Sequence, residues 1–534
     1  MDRFSSSRLT NVSICAGIAL CLWTAQLSAT LHVYRLGGEG LPEPAFPDGW
    51  DAEFISIPWT PIDEGVFGSA QLIDTSGGSI APEYMEMDVN LTPHIRQRPG
   101  GWIKSSDGYG FKDEPQLDFL FDGDPTTTYD GGGTHYKGGS SCPADGPRCS
   151  SANRILPGGT SKAIWFDLGG AFPISLIRMY PSTKHFDEKP VETFLIGTNE
   201  GDPLKDGTRE LNFFWRQGPL NFNPNFIVFE NTDPLLELDM GNVLARHILF
   251  ETIVGNWEIA EFEIYAHGFA PHATYTSNII ALGEPGSLGT LTWTGARDDG
   301  ASVELTVRNG SDDDPNIYWR NTFRGAERSR FDASGKPLTR QTYLSLEGGE
   351  RAGIAPDMQN WDFWTPPLDF DRGEDRLVAS RPRAFVQFNA EFLTQRPVTD
   401  GSRLDYIEFT VSKPPIVSDI VAEISPVSVA PREMTRFEYT LLPEFSVGDL
   451  GFDTIEIETP VAAASVDTVI LSSPTDPNAI DTLNVNSLVQ VGPTSFVIPL
   501  PEEYRRDAQS SLVSIRVIFR AQVFQYGTVF AGRV

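Results

Sequence analysis

Apolar residues in this chain recur at every second position, and that period limits what it can fold into more than any single motif does. Val303, Leu305 and Val307 alternate with Ser302, Glu304 and Thr306, and Ile407, Phe409 and Val411 alternate with Glu408, Thr410 and Ser412. Phe437, Tyr439 and Leu441 share one parity, as do Ile455 and Ile457, and later Val513, Ile515, Val517 and Phe519. Successive side chains on a strand point to opposite faces, so each run predicts a half-buried antiparallel strand with one face in a core. No window of a dozen residues keeps a 3.6-residue period, and 40 Pro and 49 Gly punctuate the 534 residues. Pro lacks the amide donor and Gly weakens a helix, so helices are predicted to be short and few. The fold class implied is all-β: antiparallel β-sandwiches in series.

The first 29 residues carry Arg3 and Arg8, an apolar stretch from Val12 to Trp23, and small residues ending at Ser28 and Ala29. This outlines a signal peptide over 1–29 and predicts a secreted or cell-surface protein. An uncleaved anchor is the rival reading, because Leu27 is bulky for its place two residues before Ala29. No later segment approaches 18 uninterrupted apolar residues, so no membrane span is expected in the mature chain. Cys15 and Cys21 fall within the leader, leaving Cys142 and Cys149 at the ends of Cys-Pro-Ala-Asp-Gly-Pro-Arg-Cys. An oxidising compartment favours a disulfide across so short a turn-rich loop, and two cysteines are too few for a structural zinc site. The formal net charge is −31, with no basic stripe of the kind that phosphate binding needs, so nucleic acid is not an expected partner. The acidity fits solubility, or a surface that holds divalent cations.

Single cores rarely grow beyond roughly 250–300 residues, which predicts about three domains. Residues 30–105, rich in Gly, Pro and acidic residues, read as an extended lead-in that packs on a neighbour rather than folding alone. Denser apolar regions follow at 106–269, at 272–412, which ends at Ser-Lys-Pro-Pro, and at 416–534. The last, with seven or so short strands between turn signals, is similar to an immunoglobulin or fibronectin type III sandwich, although the Cys-Trp-Cys hallmark is absent.

Function is most legible at 119–129, Phe-Leu-Phe-Asp-Gly-Asp-Pro-Thr-Thr-Thr-Tyr, taken with Ala-Glu-Phe-Glu-Ile-Tyr at 260–265. An Asp-x-Asp turn beside hydroxyls offers several hard oxygen ligands, which suit Ca²⁺ better than a soft metal. By itself Asp-Gly-Asp-Pro reads better as an acidic surface turn. Phe262 and Ile264 share one parity and Glu261, Glu263 and Tyr265 the other, so Glu261 points away from the face that Phe262 buries and is free to reach an ion.

Five stretches occur in a telling order: the Asp turn at 121–129, Ile-Trp-Phe-Asp-Leu-Gly at 164–169, Ile-Ser-Leu-Ile-Arg-Met-Tyr-Pro at 174–181, Val-Glu-Thr-Phe-Leu-Ile-Gly-Thr-Asn at 191–199 and Ile-Ala-Glu-Phe-Glu-Ile-Tyr at 259–265. This order resembles a discoidin domain, also known as the coagulation factor 5/8 C-terminal type or galactose-binding-like sandwich. The resemblance implies a jelly roll at 106–269 that binds carbohydrate. It also implies a structural calcium held by Asp122, Asp124 and Thr127 with nearby carbonyls, and by Glu261. Its usual binding loop falls on 182–187, giving Lys184, His185 and Asp187 as ligand candidates, with Tyr136 and Trp257 beside them. Each has a plainer reading: a loop Lys or His is commonly solvated, and Trp257 fits a core. Trp165, Phe166, Leu168, Ile177 and Phe194 are expected in the core. Tyr129 stands where the family more often has Trp, and an insertion from Asp130 to Asn153 departs from the pattern and puts the usual pocket in doubt.

Asp312, Asp313 and Asp314 could hold a cation, but a like-charge run on a loop reads first as a solvated face. Trp361 and Trp364 could stack on a glycan, with core packing the plainer reading. No His-Glu-x-x-His, Gly-x-Ser-x-Gly or Walker-type loop occurs, so no enzyme activity is expected. The sequence thus predicts an exported, non-catalytic carbohydrate-binding protein of a cell surface or matrix. The alternatives are a structural or adhesive protein that contacts envelope proteins and, after that, a polysaccharide-acting enzyme.

Overall fold

The computed structural model describes residues 30–46, 51–106, 111–130, 161–203, 211–215, 218–253, 256–322, 324–377, 379, 381–472, 480–483, 489–500, 514–525 and 527–534. The predicted leader, Tyr136 and the Cys142–Cys149 pair lie outside them. The described residues are almost wholly strands in multiple sheets, forming serial β-sandwiches. Among them the one α-helix is Arg340–Leu344, and no helix is long and apolar enough to cross a membrane.

The sandwich that carries the Asp turn is organised by one long strand. Ser161–Tyr180 pairs along most of its length with Leu236–Ile253, but the register slips between Asp167 and Phe172. Gly169 sits there at φ +77°, with its N–H donated to Asp167 Oδ1 at 3.0 Å. A side chain at Gly169 would press on the Pro99 carbonyl, so glycine is required on both counts. Before the bend the strand pairs with Trp102–Ser106, and after it with Glu261–Ala266. One strand therefore serves two sheet faces around a single core, as bulged corner strands do. Phe166 and Phe262 stack in that core with ring centroids 4.7 Å apart.

Of the expected core residues, Phe166, Leu168, Ile177 and Phe194 are buried, but Trp165 is only half-buried. Trp165 and Phe166 are consecutive on a strand, so only one can enter the core. Trp165 packs on the other face, edge-to-face with Trp102 at 4.8 Å and Phe111 at 5.1 Å.

The segment at 30–105 divides its contacts. Thr30–Gly37 pairs antiparallel with Ser402–Lys413 and parallel with Ala52–Ile57, and Ser69–Gln71 pairs with His272–Thr276. Its first part thus completes the sheets of the second sandwich, whose core buries Tyr34, Leu36 and Trp59 beside Phe388 and Phe409. Leu91, Ile95 and Ile103 instead enter the core of the Asp-turn sandwich. The third sandwich sets the five-stranded sheet containing Thr435–Glu444 and Ser514–Ala521 against a four-stranded sheet containing Thr454–Glu458 and Ser495–Pro499, over a core that includes Phe437, Ile455 and Phe519.

Candidate functional site

The Asp turn is exposed because buried anchors hold it at both ends. Leu117 and Leu120 on the 3-10 helix Pro115–Leu120 are fully buried, as is Tyr129, while residues 122–126 stand in solvent. Gly123 takes φ +76°, a left-handed conformation that favours glycine. Asp122 Oδ1 accepts the Asp124 N–H at 2.8 Å, and the Thr127 hydroxyl donates to Asp122 Oδ2 at 2.8 Å. Asp124 Oδ1 accepts from the Thr126 N–H at 2.9 Å and hydroxyl at 2.7 Å, which holds its carboxyl below the usual range. The Gly123 N–H donates to Glu261 Oε1 at 2.7 Å across a separation of 138 residues. Asp122 and Thr127 are thus bonded to each other, Asp124 to Thr126, and Glu261 to the backbone of the same turn.

Strand parity explains the position of Glu261. It pairs with Tyr180 on the sheet while Phe262, facing the other way, is fully buried. Burial lifts the Glu261 carboxyl to about 7. The charges of Asp122, Glu263 and Asp124 add to that rise, and the Gly123 N–H opposes it. A hard divalent cation would relieve this repulsion, and the donors nearby are oxygens, the kind calcium takes. Among the described residues no three of His, Cys, Asp and Glu are grouped to hold a metal by side chains alone, so carbonyls of the turn and the Thr127 hydroxyl would have to complete the shell.

The loop after Tyr180 is fastened to the turn. The Thr183 N–H donates to the Pro125 carbonyl at 3.0 Å, and Lys184 Nζ to the Thr126 carbonyl at 3.1 Å. His185 Nδ1 lies 2.9 Å from Glu258 Oε2, and Lys189 is paired with the other oxygen of the same carboxylate. Burial pushes the Glu258 carboxyl up, but the bonds from Lys189 and His185 outweigh it and leave the group below its usual range. Lys184 and His185 thus brace the loop as well as lining it, while Asp187 and the neighbouring Phe186, 56% exposed, face outward.

Trp257, expected beside the ligand, is a core side chain. It is 4% exposed, its ring 6.3 Å from both Tyr129 and Phe250, and it has no open face for a sugar. Sequence reasoning also missed Phe186, Lys189 and Glu258. For Phe186 a signal existed, an aromatic between charged residues in a turn-rich loop. Glu258 and Lys189 are 69 residues apart, and nothing local links them.

No protein-family model matches the sequence, and no curated protein matches it. Solved structures similar to part of the chain include a Streptococcus pneumoniae fucose binding module, at 12% identity, covering 36% of this chain and 100% of that one, with a TM-score of 0.19. Another is the Clostridium perfringens module CpGH89CBM32-5 in complex with GalNAc-β-1,3-galactose, at 16% identity, covering 31% of this chain and 95% of that one, with a TM-score of 0.20. A third holds the CBM32-1, CBM32-2 and M60 catalytic domains of Clostridium perfringens ZmpB, at 8% identity, covering 82% of this chain and 59% of that one, with a TM-score of 0.20. Likeness at this level carries neither ligand nor activity over to this chain.

Proposed function

We propose that the sandwich that carries the Asp turn binds carbohydrate with the loop at 182–187, in an exported, non-catalytic protein of a cell surface or matrix. The observation that carries this reading is the fastening of that loop to the Asp turn and the short strand Glu258–Ile259 through Pro125, Thr126 and Glu258. A loop tied at three points presents its outward groups with little ordering cost on binding. Phe186 offers a ring face for sugar C–H surfaces, and Asp187 accepts hydrogen bonds from hydroxyls. In this reading calcium at Asp122, Asp124, Thr127 and Glu261 is structural: it pins the turn to the closing strand and takes no part in chemistry.

The test is binding of the full chain to an immobilised glycan panel, alone and as Phe186→Ala and Asp187→Ala. A glycan held by the parent chain and lost by about tenfold in either variant supports the reading, a factor worth about 1.4 kcal/mol. Retention of no polysaccharide on the panel would sink it. The rival role is that of a structural or adhesive protein contacting envelope proteins. That role predicts capture of an envelope protein that soluble sugar does not displace.

A further inference from the structure

A cleft of about 950 Å³ lies outside the Asp-turn sandwich, where three distant stretches of chain meet. They are the 3-10 turn Glu64–Val66 with Phe67, the loop of Asp312, Asp313 and Asp314, and the segment leading through Thr339 into the helix Arg340–Leu344. The volume is at the upper end of ordinary ligand pockets, roughly 300–1,000 Å³.

Both walls are fixed before any ligand arrives. On one, Asp312 accepts the Trp361 indole N–H at 3.0 Å, and Asp314 accepts the Asn316 N–H at 3.0 Å and the Tyr318 hydroxyl at 3.2 Å. The loop that carries Asp357 is joined to this wall, because the Asp357 N–H donates to the Pro315 carbonyl and the Ser311 N–H to the Asn360 carbonyl, each at 2.9 Å. On the other wall the Arg340 guanidinium lies 4.9 Å from the centre of the Phe67 ring. Arg330 and an exposed Phe331 complete the rim, and Phe385 and Ile279 form part of the floor.

Several ligand classes fit poorly. A purely apolar molecule would leave the carboxylates and guanidinium groups without solvent. A phosphate or acidic sugar would face the aspartates, and a basic peptide would face Arg330 and Arg340. A neutral polyhydroxyl chain satisfies both walls: its hydroxyls donate to the carboxylates, accept from the guanidinium groups, and do both with Gln359 and Asn360. We infer that this cleft is a second carbohydrate site, selective for an uncharged oligosaccharide and separate from the loop at 182–187. Burial raises the Asp312 and Asp314 carboxyls above their ordinary range, consistent with a wall already partly shielded from water.

The full chain is tested against immobilised hexamers of glucose, mannose, galactose and N-acetylglucosamine, with hexagalacturonate and hexalysine as acidic and basic comparators. Variants are Gln359→Ala and Phe331→Ala, both at exposed positions, and, in the other site, Phe186→Ala. The expected result is a neutral hexamer that Phe186→Ala still binds and that each cleft variant binds about tenfold more weakly, with circular dichroism unchanged. The proposal is overturned if no neutral hexamer is retained by Phe186→Ala, if neither cleft variant weakens binding, or if hexalysine or hexagalacturonate competes as well as the neutral chain. Loss of all sugar binding in Phe186→Ala would leave the first site standing and remove the second.

Discussion

Two acidic turns in this protein look alike in sequence and differ in what the fold sets against them. Asp122-Gly-Asp124 stands in solvent, its side chains bonded within the turn, and its cross-fold partner is another carboxylate, Glu261, reached through the Gly123 N–H. At Asp312–Asp314 the two outer carboxylates are half-buried and accept from an indole and a phenol, Trp361 and Tyr318. The first arrangement sets a further carboxylate against the turn, a repulsion that a cation would relieve, and the second ties each outer carboxylate to a fixed donor and leaves its remaining acceptor capacity to the cleft. An acidic run therefore has no fixed meaning until the residue across the sheet is known.

The largest expected effect comes from removing the floor beneath the first turn. Phe262→Ala should destabilise that sandwich by about 3–5 kcal/mol, the range for deleting a buried ring, and should abolish any response to calcium. Urea unfolding measures this, and a loss below about 1 kcal/mol would show that the closing strand is not held by its core. Next, calcium at a hundredfold excess over its dissociation constant should stabilise the folded chain by about 2.7 kcal/mol. Asp122→Asn and Glu261→Gln should erase that shift in calorimetry while Asp312→Asn keeps it, and the reverse pattern would invert the comparison. Third, Trp361→Phe removes the donor from Asp312 and should cost about 1–3 kcal/mol that calcium does not restore.

The smallest effect sharpens the account of Glu261. Its folded value of about 7 lies above the ordinary 4.5, so the unfolded chain releases this proton first as pH rises. In chelator the carboxyl's contribution should therefore decline from pH 4.5 to about 7, reduced by the solvent that reaches the half-exposed group. Glu261→Gln should flatten that slope in thermal melts across this range. An unchanged slope would mean that Glu261 does not carry the burden of the neighbouring charges.

Period-two alternation made the strands legible, and parity placed Phe262 inward and Glu261 outward with no further information. The same rule, applied to neighbours, would have kept Trp165 out of the core, since Phe166 beside it already pointed there. Trp257 was ambiguous because a large aromatic beside a binding loop and one plugging a core share a local sequence, and only the rings of Tyr129 and Phe250 around it decide. The pairing of Thr30–Gly37 with Ser402–Lys413 had no local signal, as its partners are more than 360 residues apart. Arg35 illustrates the point: its ion pair with Glu408, at 2.9 Å, depends on a register that only the folded sheet supplies.

That same pairing sets how the molecule carries load. Thr30 lies opposite Lys413, so a pull applied at these two points is borne by the clasp between the strands. Everything threaded between them, including the Asp turn and its neighbouring loop, forms a loop outside the line of tension. A grip on a ligand by that loop would stay mechanically sheltered until the clasp had peeled open.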